Sequence, residues 1–174
     1  TSANCFKVVH GGLRYLQHGD LVRIRESNRE RRALLRIAPH LVRPLPILIP
    51  TYRRGGQGKA LLGAGLQLYE WLTWDRNRGL DDPQQQIPPA RLLSRADCLA
   101  QAPSLEREDL TGAVVFHDGQ MYSPARLALA FLLSAAQAGA EVANYAEVTG
   151  FLQQGDRVAG VSVRDRLRGR MFDI

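Results

Sequence analysis

Ser123-Pro124 and Gly139 bracket the clearest helix in this sequence, and the stretch immediately C-terminal to it limits the fold more than anything before it. Serine suits the N-cap, and proline suits the first helical position because its missing N–H would have no partner there anyway. Leu127, Ala130, Phe131, Ser134 and Ala138 then recur at helical spacing, and Gly139 is the stop. Directly behind it, residues 140–145 and 148–152 read as strands, and Gln154-Gly155-Asp156 as a hairpin turn. Residues 157–163 alternate, with Val158, Val161 and Val163 as the apolar members, and a turn at Arg168-Gly169 leads to a last strand. A helix feeding a series of antiparallel hairpins belongs to the α+β class.

The upstream half fits the same class. Residues 21–37 are helical by period, with Leu21, Ile24, Ala33, Leu34 and Ile37 able to share a side and Arg23, Arg25, Glu26, Arg29, Glu30, Arg32 and Arg36 in the charged remainder. Asp20 can cap the start, and the helix must stop near Ala38-Pro39. Residues 45–49 form a short apolar strand bracketed by Pro44, Pro46 and Pro50, which predicts a sheet edge. A second helix is expected over 61–74, a loop over 76–89, a short helix over 94–102 capped by Ser94, and a strand over 112–117. The expected division is a site-facing segment at 1–20, a helix-and-strand portion at 21–122, and a helix with a β-meander at 123–174.

Chemistry is concentrated in His10-Gly11-Gly12-Leu13-Arg14-Tyr15. Adjacent glycines let a backbone pass close to another group. Arginine offers a planar fork of donors for phosphate or carboxylate, tyrosine a hydroxyl donor, and histidine a proton acceptor near neutrality. The same residues also suit a glycine turn leading into a helix, with Arg14 solvated and His10 packed. Gly55-Gly56-Gln57-Gly58-Lys59-Ala60 is not a phosphate loop, since the first glycine is misplaced and Ala60 stands where the magnesium-binding hydroxyl is required. It reads as a basic loop.

Other classes are excluded more simply. Cys5 and Cys98 cannot build a disulfide framework, and His10, His18, His40 and His117 show no metal-ligand spacing, so no metal site is expected. No G-x-S-x-G elbow occurs. The charge of +6 invites a nucleic-acid reading, but much of the excess arginine shares a helix with Glu26 and Glu30, and aromatics make up only 7%, so none is expected. Every apolar run is too short for a bilayer span.

The motif at the start, Thr1-Ser2 and then Lys7-Val8-Val9-His10-Gly11-Gly12-Leu13-Arg14-Tyr15-Leu16, resembles the FAD-dependent glycerol-3-phosphate dehydrogenases, relatives of the D-amino-acid-oxidase-like flavoproteins. The resemblance continues in order. Arg29-Glu30-Arg31 with Ala38-Pro39-His40-Leu41 looks like that family's next helix, and Tyr69-Glu70 like its Tyr-Asp pair. Ala125-Arg126-Leu127 is similar to its next helix start, and Gly139-Ala140-Glu141-Val142 to the approach to its adenine-side strand. It is weakest over 76–108 and after Gly155. No G-x-G-x-x-G unit is present. The resemblance therefore implies the middle portion of an FAD-linked oxidoreductase, which by itself should hold FAD weakly or not at all.

By the same resemblance, Thr1, Ser2, Lys7, Gly11, Gly12 and Val148 would face the cofactor FAD. Arg14 and Tyr15 would hold the phosphate and glycerol ends of a small phosphorylated substrate. His10 would assist proton removal. Cys5 and Phe6 stand where the family carries serines, which removes hydroxyl contacts there. The implied reaction oxidises glycerol 3-phosphate to dihydroxyacetone phosphate, with quinone or another electron acceptor downstream. The implied location is cytoplasmic, with peripheral contact at a membrane face through the helix bearing Trp71 and Trp74; a core helix fits that pattern equally. A related flavoprotein acting on another small hydroxy or amino acid, and a non-enzymatic anion-binding module, are the alternatives.

Overall fold

The computed structural model describes residues 4–53 and 59–174, and the chain divides into two compact units that meet at Ala128/Leu129. The first unit is built on a four-stranded antiparallel sheet. Its central strand β4 (Leu110–Met121) pairs along its whole length with β2 (Val42–Tyr52). The opposite side of β4 is shared by β1 (Val8–Val9), against Gly119 and Gln120, and β3 (Arg91–Leu93), against residues 113–115. The helices are α1 (Leu21–Ile37), α2 (Lys59–Leu72) and α3 (Arg95–Gln101), with a short 3-10 helix at Leu13–His18.

Strand β2 is an edge, as its prolines predict, and it is longer than the expected 45–49 because β4 offers eleven partners, with one register shift between Thr51 and Tyr52. Pro44, Pro46 and Pro50 share one parity, so all three lack their N–H on the same side of the strand. The ladder to β4 must therefore use the odd-numbered residues, and the open side is left short of donors, which blunts edge-to-edge association.

Strand β4 reads as a continuous apolar run because both of its faces are covered. Val114 and Phe116 pack with Leu66 and Leu62 of α2 and with Ile47 and Leu13. Ala113 and Val115 pack on the other face with Leu93, Cys98, Leu110 and Leu48. Asp118, on the parity of Val114 and Phe116, lies on the α2 side.

Helix α1 is capped by Asp20, whose carboxylate accepts from the Arg23 backbone N–H at 3.1 Å. Its buried stripe is Ile24, Asn28, Arg31 and Leu35. This corrects the apolar side expected from the sequence: Leu21 and Ile37 are exposed, and two polar residues take the inward positions. The helix is held to the end of α2 by Asp75. Arg25 reaches its Oδ1 at 2.6 Å and Arg32 its Oδ2 at 2.8 Å. Burial works against this carboxylate, but the hydrogen bonds from Arg25 and Arg32 prevail and hold its pKa below the ordinary value.

Helix α4 (Pro124–Gln137) opens at Ser123 and closes at Gly139, which has φ +94°. The Ala140 N–H turns back to the Ala135 carbonyl at 2.9 Å, completing the cap. The second unit carries an antiparallel meander of β5 (Ala146–Gln154), β6 (Arg157–Asp165) and β7 (Met171–Asp173), with β6 central. The strand expected over 140–145 does not form. Its first residue is spent on the helix cap, and Tyr145 adopts a left-handed φ of 56°, which ends any extended run before Ala146.

Candidate functional site

The pairing of β1 with β4 sets Val9 opposite Gly119, so the chain leaving β1 runs past Asp118. Gly119 lets the strands approach closely there, since an added Cβ would lie 3.2 Å from the Val9 Cβ, a tight contact. Lys7 precedes the strand with a left-handed φ of 57°, and its carbonyl accepts from the Met121 N–H at 2.8 Å. His10 and Gly11 then arrive beside the Asp118 carboxylate. The Gly11 N–H donates to Oδ1 at 2.6 Å, and His10 Nδ1 lies 3.4 Å from Oδ2.

Asp118 is buried, and its counter-ion is Arg31, which is 1% exposed. Arg31 Nη1 donates to Asp118 Oδ1 at 2.9 Å and to the His117 carbonyl at 2.7 Å, while Nη2 donates to Asn28 Oδ1 at 2.6 Å. The Asn28 amide donates to the Gly11 carbonyl at 2.6 Å, and Tyr69 of α2 donates its hydroxyl to the same carbonyl at 2.9 Å. Burial pushes the Tyr69 phenol above its ordinary pKa, against the lowering effect of the Arg31 charge, so it stays a neutral donor. Gly11 is thus clamped on both of its peptide groups, its N–H held by β4 and its C=O by α1 and α2.

The clamp gives the glycine pair a role inside the protein. An added Cβ at Gly11 would collide with the Arg31 guanidinium and the Tyr69 hydroxyl. Gly12 has φ +84° and starts the 3-10 helix. Both glycines are buried, and the Gly11 N–H and C=O are already committed. His10, by contrast, keeps 66% of its side chain exposed while one ring nitrogen faces the carboxylate. One edge of the ring is thus open to solvent while the other faces a buried carboxylate.

Beyond the glycines the two remaining motif residues part. Arg14 is exposed on the 3-10 helix. Tyr15 turns inward against Ile24, Tyr69 and Leu72, with the Arg23 guanidinium 5.7 Å from its ring centroid. Lys7 is exposed. Val148 sits in β5 opposite Val163 and is half exposed. Thr1, Ser2 and the basic loop at 54–58 lie outside the described residues. Cys5 and Cys98 are free thiols, and the described residues contain no metal-binding cluster.

Sequence reasoning missed Asp118, Arg31, Asn28 and Tyr69. His117, beside Asp118 in the chain, points to the other face of the sheet, where burial and then the charges of Arg91 and Arg31 hold its pKa below the ordinary value. The Tyr69-Glu70 pair is doubly engaged: Glu70 accepts from the Ala90 N–H at 2.9 Å and pairs with Arg76 at 2.8 Å.

Comparison with known proteins shows what the chain as a whole is similar to. The profile described as "FAD dependent oxidoreductase" matches residues 1–171. The mitochondrial glycerol-3-phosphate dehydrogenase of Mus musculus is 35% identical over 187 aligned residues, covering 100% of this chain and 24% of the relative. The glycerol-3-phosphate dehydrogenase of Synechocystis is also 35% identical, over 176 residues and 30% of its length. Among solved structures, the glycerol-3-phosphate dehydrogenase of Bacillus halodurans complexed with FAD superposes with a TM-score of 0.62 at 23% identity, over 100% of this chain and 25% of that one. An L-proline dehydrogenase from P. horikoshii gives 0.65 at 17% identity, over 94% of this chain and 39% of that one. These two establish likeness of fold. The chain spans about a quarter to a third of the length of the curated relatives named here.

Proposed function

The chain belongs to the FAD dependent oxidoreductase family, and from that premise we propose that it is the part of a glycerol-3-phosphate dehydrogenase that carries the proton acceptor and the first grip on substrate. The observation that carries this reading is His10: an exposed imidazole braced from inside by a buried carboxylate, four residues before a solvent-facing arginine. FAD, when bound, supplies the hydride acceptor. His10 takes the hydroxyl proton of the carbinol as the hydride leaves. The exposed guanidinium of Arg14 pairs with the phosphate dianion, a fork-to-oxygen match that lysine would not reproduce. Tyr15, packed under Arg23, holds that turn of the 3-10 helix in place.

The residues present fit the cofactor. Lys7 is an exposed cation at the end of β1, and no anionic partner for it occurs among the described residues. Such a charge suits the flavin ring or its pyrophosphate. Thr1 and Ser2 would extend that contact, and Val148 would offer backbone to the adenine. Gly11 and Gly12 would serve by holding His10 at the ring rather than by touching it.

Replacing Arg14 with alanine in the full-length flavoenzyme that contains this chain is expected to raise the KM for glycerol 3-phosphate by an amount equivalent to about 1.5–3 kcal/mol, the worth of a charged hydrogen bond. An unchanged KM would remove Arg14 from the substrate site and favour another substrate class.

Electrons would leave to a quinone or a comparable acceptor, and the protein would reach it from a membrane surface. No helix among the described residues is long and apolar enough to cross a membrane. Trp71 and Trp74 are 72% and 71% exposed, and with Arg25 and Leu72 they line a cleft of about 210 Å³. Indoles beside arginine suit a headgroup layer. Sedimentation with anionic vesicles checks this: the protein should pellet, and a Trp71→Ala/Trp74→Ala variant should stay in the supernatant. Equal pelleting of both would reject this surface.

A further inference from the structure

Resting on the glycerol-3-phosphate dehydrogenase reading, we propose that Asp118 is the positioning residue for His10: its carboxylate selects the Nδ1–H tautomer and so makes Nε2 the atom that receives the substrate's proton. The two carboxylate oxygens have different company. Oδ1 is filled by the Gly11 N–H at 2.6 Å and Arg31 Nη1 at 2.9 Å. Oδ2 is the oxygen turned to His10, 3.4 Å from Nδ1.

Arg31 is cationic at any working pH, is buried, and has both of its terminal nitrogens engaged. An anionic carboxylate accepts hydrogen bonds and donates none, so when the 3.4 Å Nδ1–Oδ2 contact closes to a hydrogen bond, the ring nitrogen is its donor. Imidazole carries one proton in its neutral form, and placing that proton on Nδ1 leaves the lone pair on Nε2. Free histidine prefers the opposite arrangement, with the proton on Nε2, so the carboxylate acts against an intrinsic bias. In the proposed reaction the substrate O–H bond would break as an Nε2–H bond forms, the carbinol carbon would give up its hydride to FAD, when bound, and a C=O double bond would be left on the product. The imidazolium produced then lies beside a carboxylate already in place, with no reorganisation required. Arg31, Asn28 and Tyr69 act through the Gly11 peptide, fixing the direction from which His10 leaves the strand.

Nitrogen NMR of the purified protein with isotope-labelled histidine, at alkaline pH, tests the tautomer. The His10 signals are assigned by their loss in His10→Gln. The expected wild-type spectrum has a protonated Nδ1 and a pyridine-like Nε2; a protonated Nε2 overturns the proposal, and this arm needs no variant of Asp118. In Asp118→Asn the preference should disappear, and in the full-length flavoenzyme that contains this chain kcat for glycerol 3-phosphate should fall about a hundredfold with KM nearly unchanged. Asp118→Glu, which keeps the charge, should restore part of kcat. A loss confined to KM would overturn positioning in favour of a substrate contact. If wild type shows the expected tautomer but His10→Gln turns over normally, the assignment of His10 as proton acceptor fails while its coupling to Asp118 stands.

Discussion

Arg31→Met is expected to cost on the order of 3–5 kcal/mol of folding stability, the penalty for removing one partner of a buried ion pair. The guanidinium is 1% exposed and donates to Asp118, Asn28 and the His117 carbonyl. Methionine fills the volume but leaves a buried carboxylate with the Gly11 N–H and an exposed imidazole as its remaining company. Urea unfolding should show a lower midpoint with an unchanged slope. The companion change Asp118→Leu in the same chain should recover part of the loss, because an apolar pair avoids the desolvation that the ions incur. Such recovery would say that the pair is kept for what it does to His10 and Gly11 rather than for stability. A loss below about 1 kcal/mol for Arg31→Met would mean that the pair is wet and acts like a surface bridge.

That Arg31 should matter was not visible where sequence reasoning looked for it. Residues 21–37 carry eight charged side chains among the apolar ones, and the natural reading assigns every arginine to solvent. A usable signal was nonetheless present. Ile24, Asn28, Arg31 and Leu35 succeed one another at intervals of four, three and four, the spacing of a single helical stripe, so Asn28 and Arg31 stand where a core helix would place leucines. Polar residues on such a stripe require buried partners, and an aspartate within an apolar strand, Asp118 after residues 113–116, is the natural candidate. Sequence alone does not give the register that brings the two together, since it depends on eleven residues of β2 and two of β1 finding their places on β4.

Local chemistry was more legible. Asp20, Ser94 and Ser123 each precede the helix they were expected to open. Pro44, Pro46 and Pro50 announce an edge because a missing N–H has only one tolerable direction. The strand wrongly expected over 140–145 shows the reverse case. Its composition suits a strand, but the C-cap of α4 claims Ala140 and a left-handed Tyr145 closes the far end, leaving no extended length to pair. In the candidate site, His10 and the glycine pair could be picked out from residue type and crowding, whereas the residues that hold them are 17 to 107 positions away along the chain.

Gly11→Ala is expected to be as damaging as the loss of Arg31, although it adds a single methyl group. The new Cβ would meet the Arg31 guanidinium and the Tyr69 hydroxyl, and neither can yield freely: one is fixed by three acceptors, the other donates to the Gly11 carbonyl itself. Overpacking of this kind costs about 1–3 kcal/mol, and each buried hydrogen bond left unmade adds about 1–3 kcal/mol. Gly19→Ala is the control. Gly19 also has a positive φ, +65°, but nothing lies within 4 Å of its added Cβ, so it should lose only the about 1–2 kcal/mol that a left-handed alanine costs. The steric account makes a sharper demand as well. Tyr69→Phe removes the hydroxyl that the new methyl would strike, so Gly11→Ala should cost less in a Tyr69→Phe background than alone, a negative coupling in a double-mutant cycle measured by urea unfolding. Additive losses would mean that the methyl group is accommodated by moving the backbone. In that case the peptide after His10 would be free to shift, and the clamp could not be what sets the imidazole against Asp118.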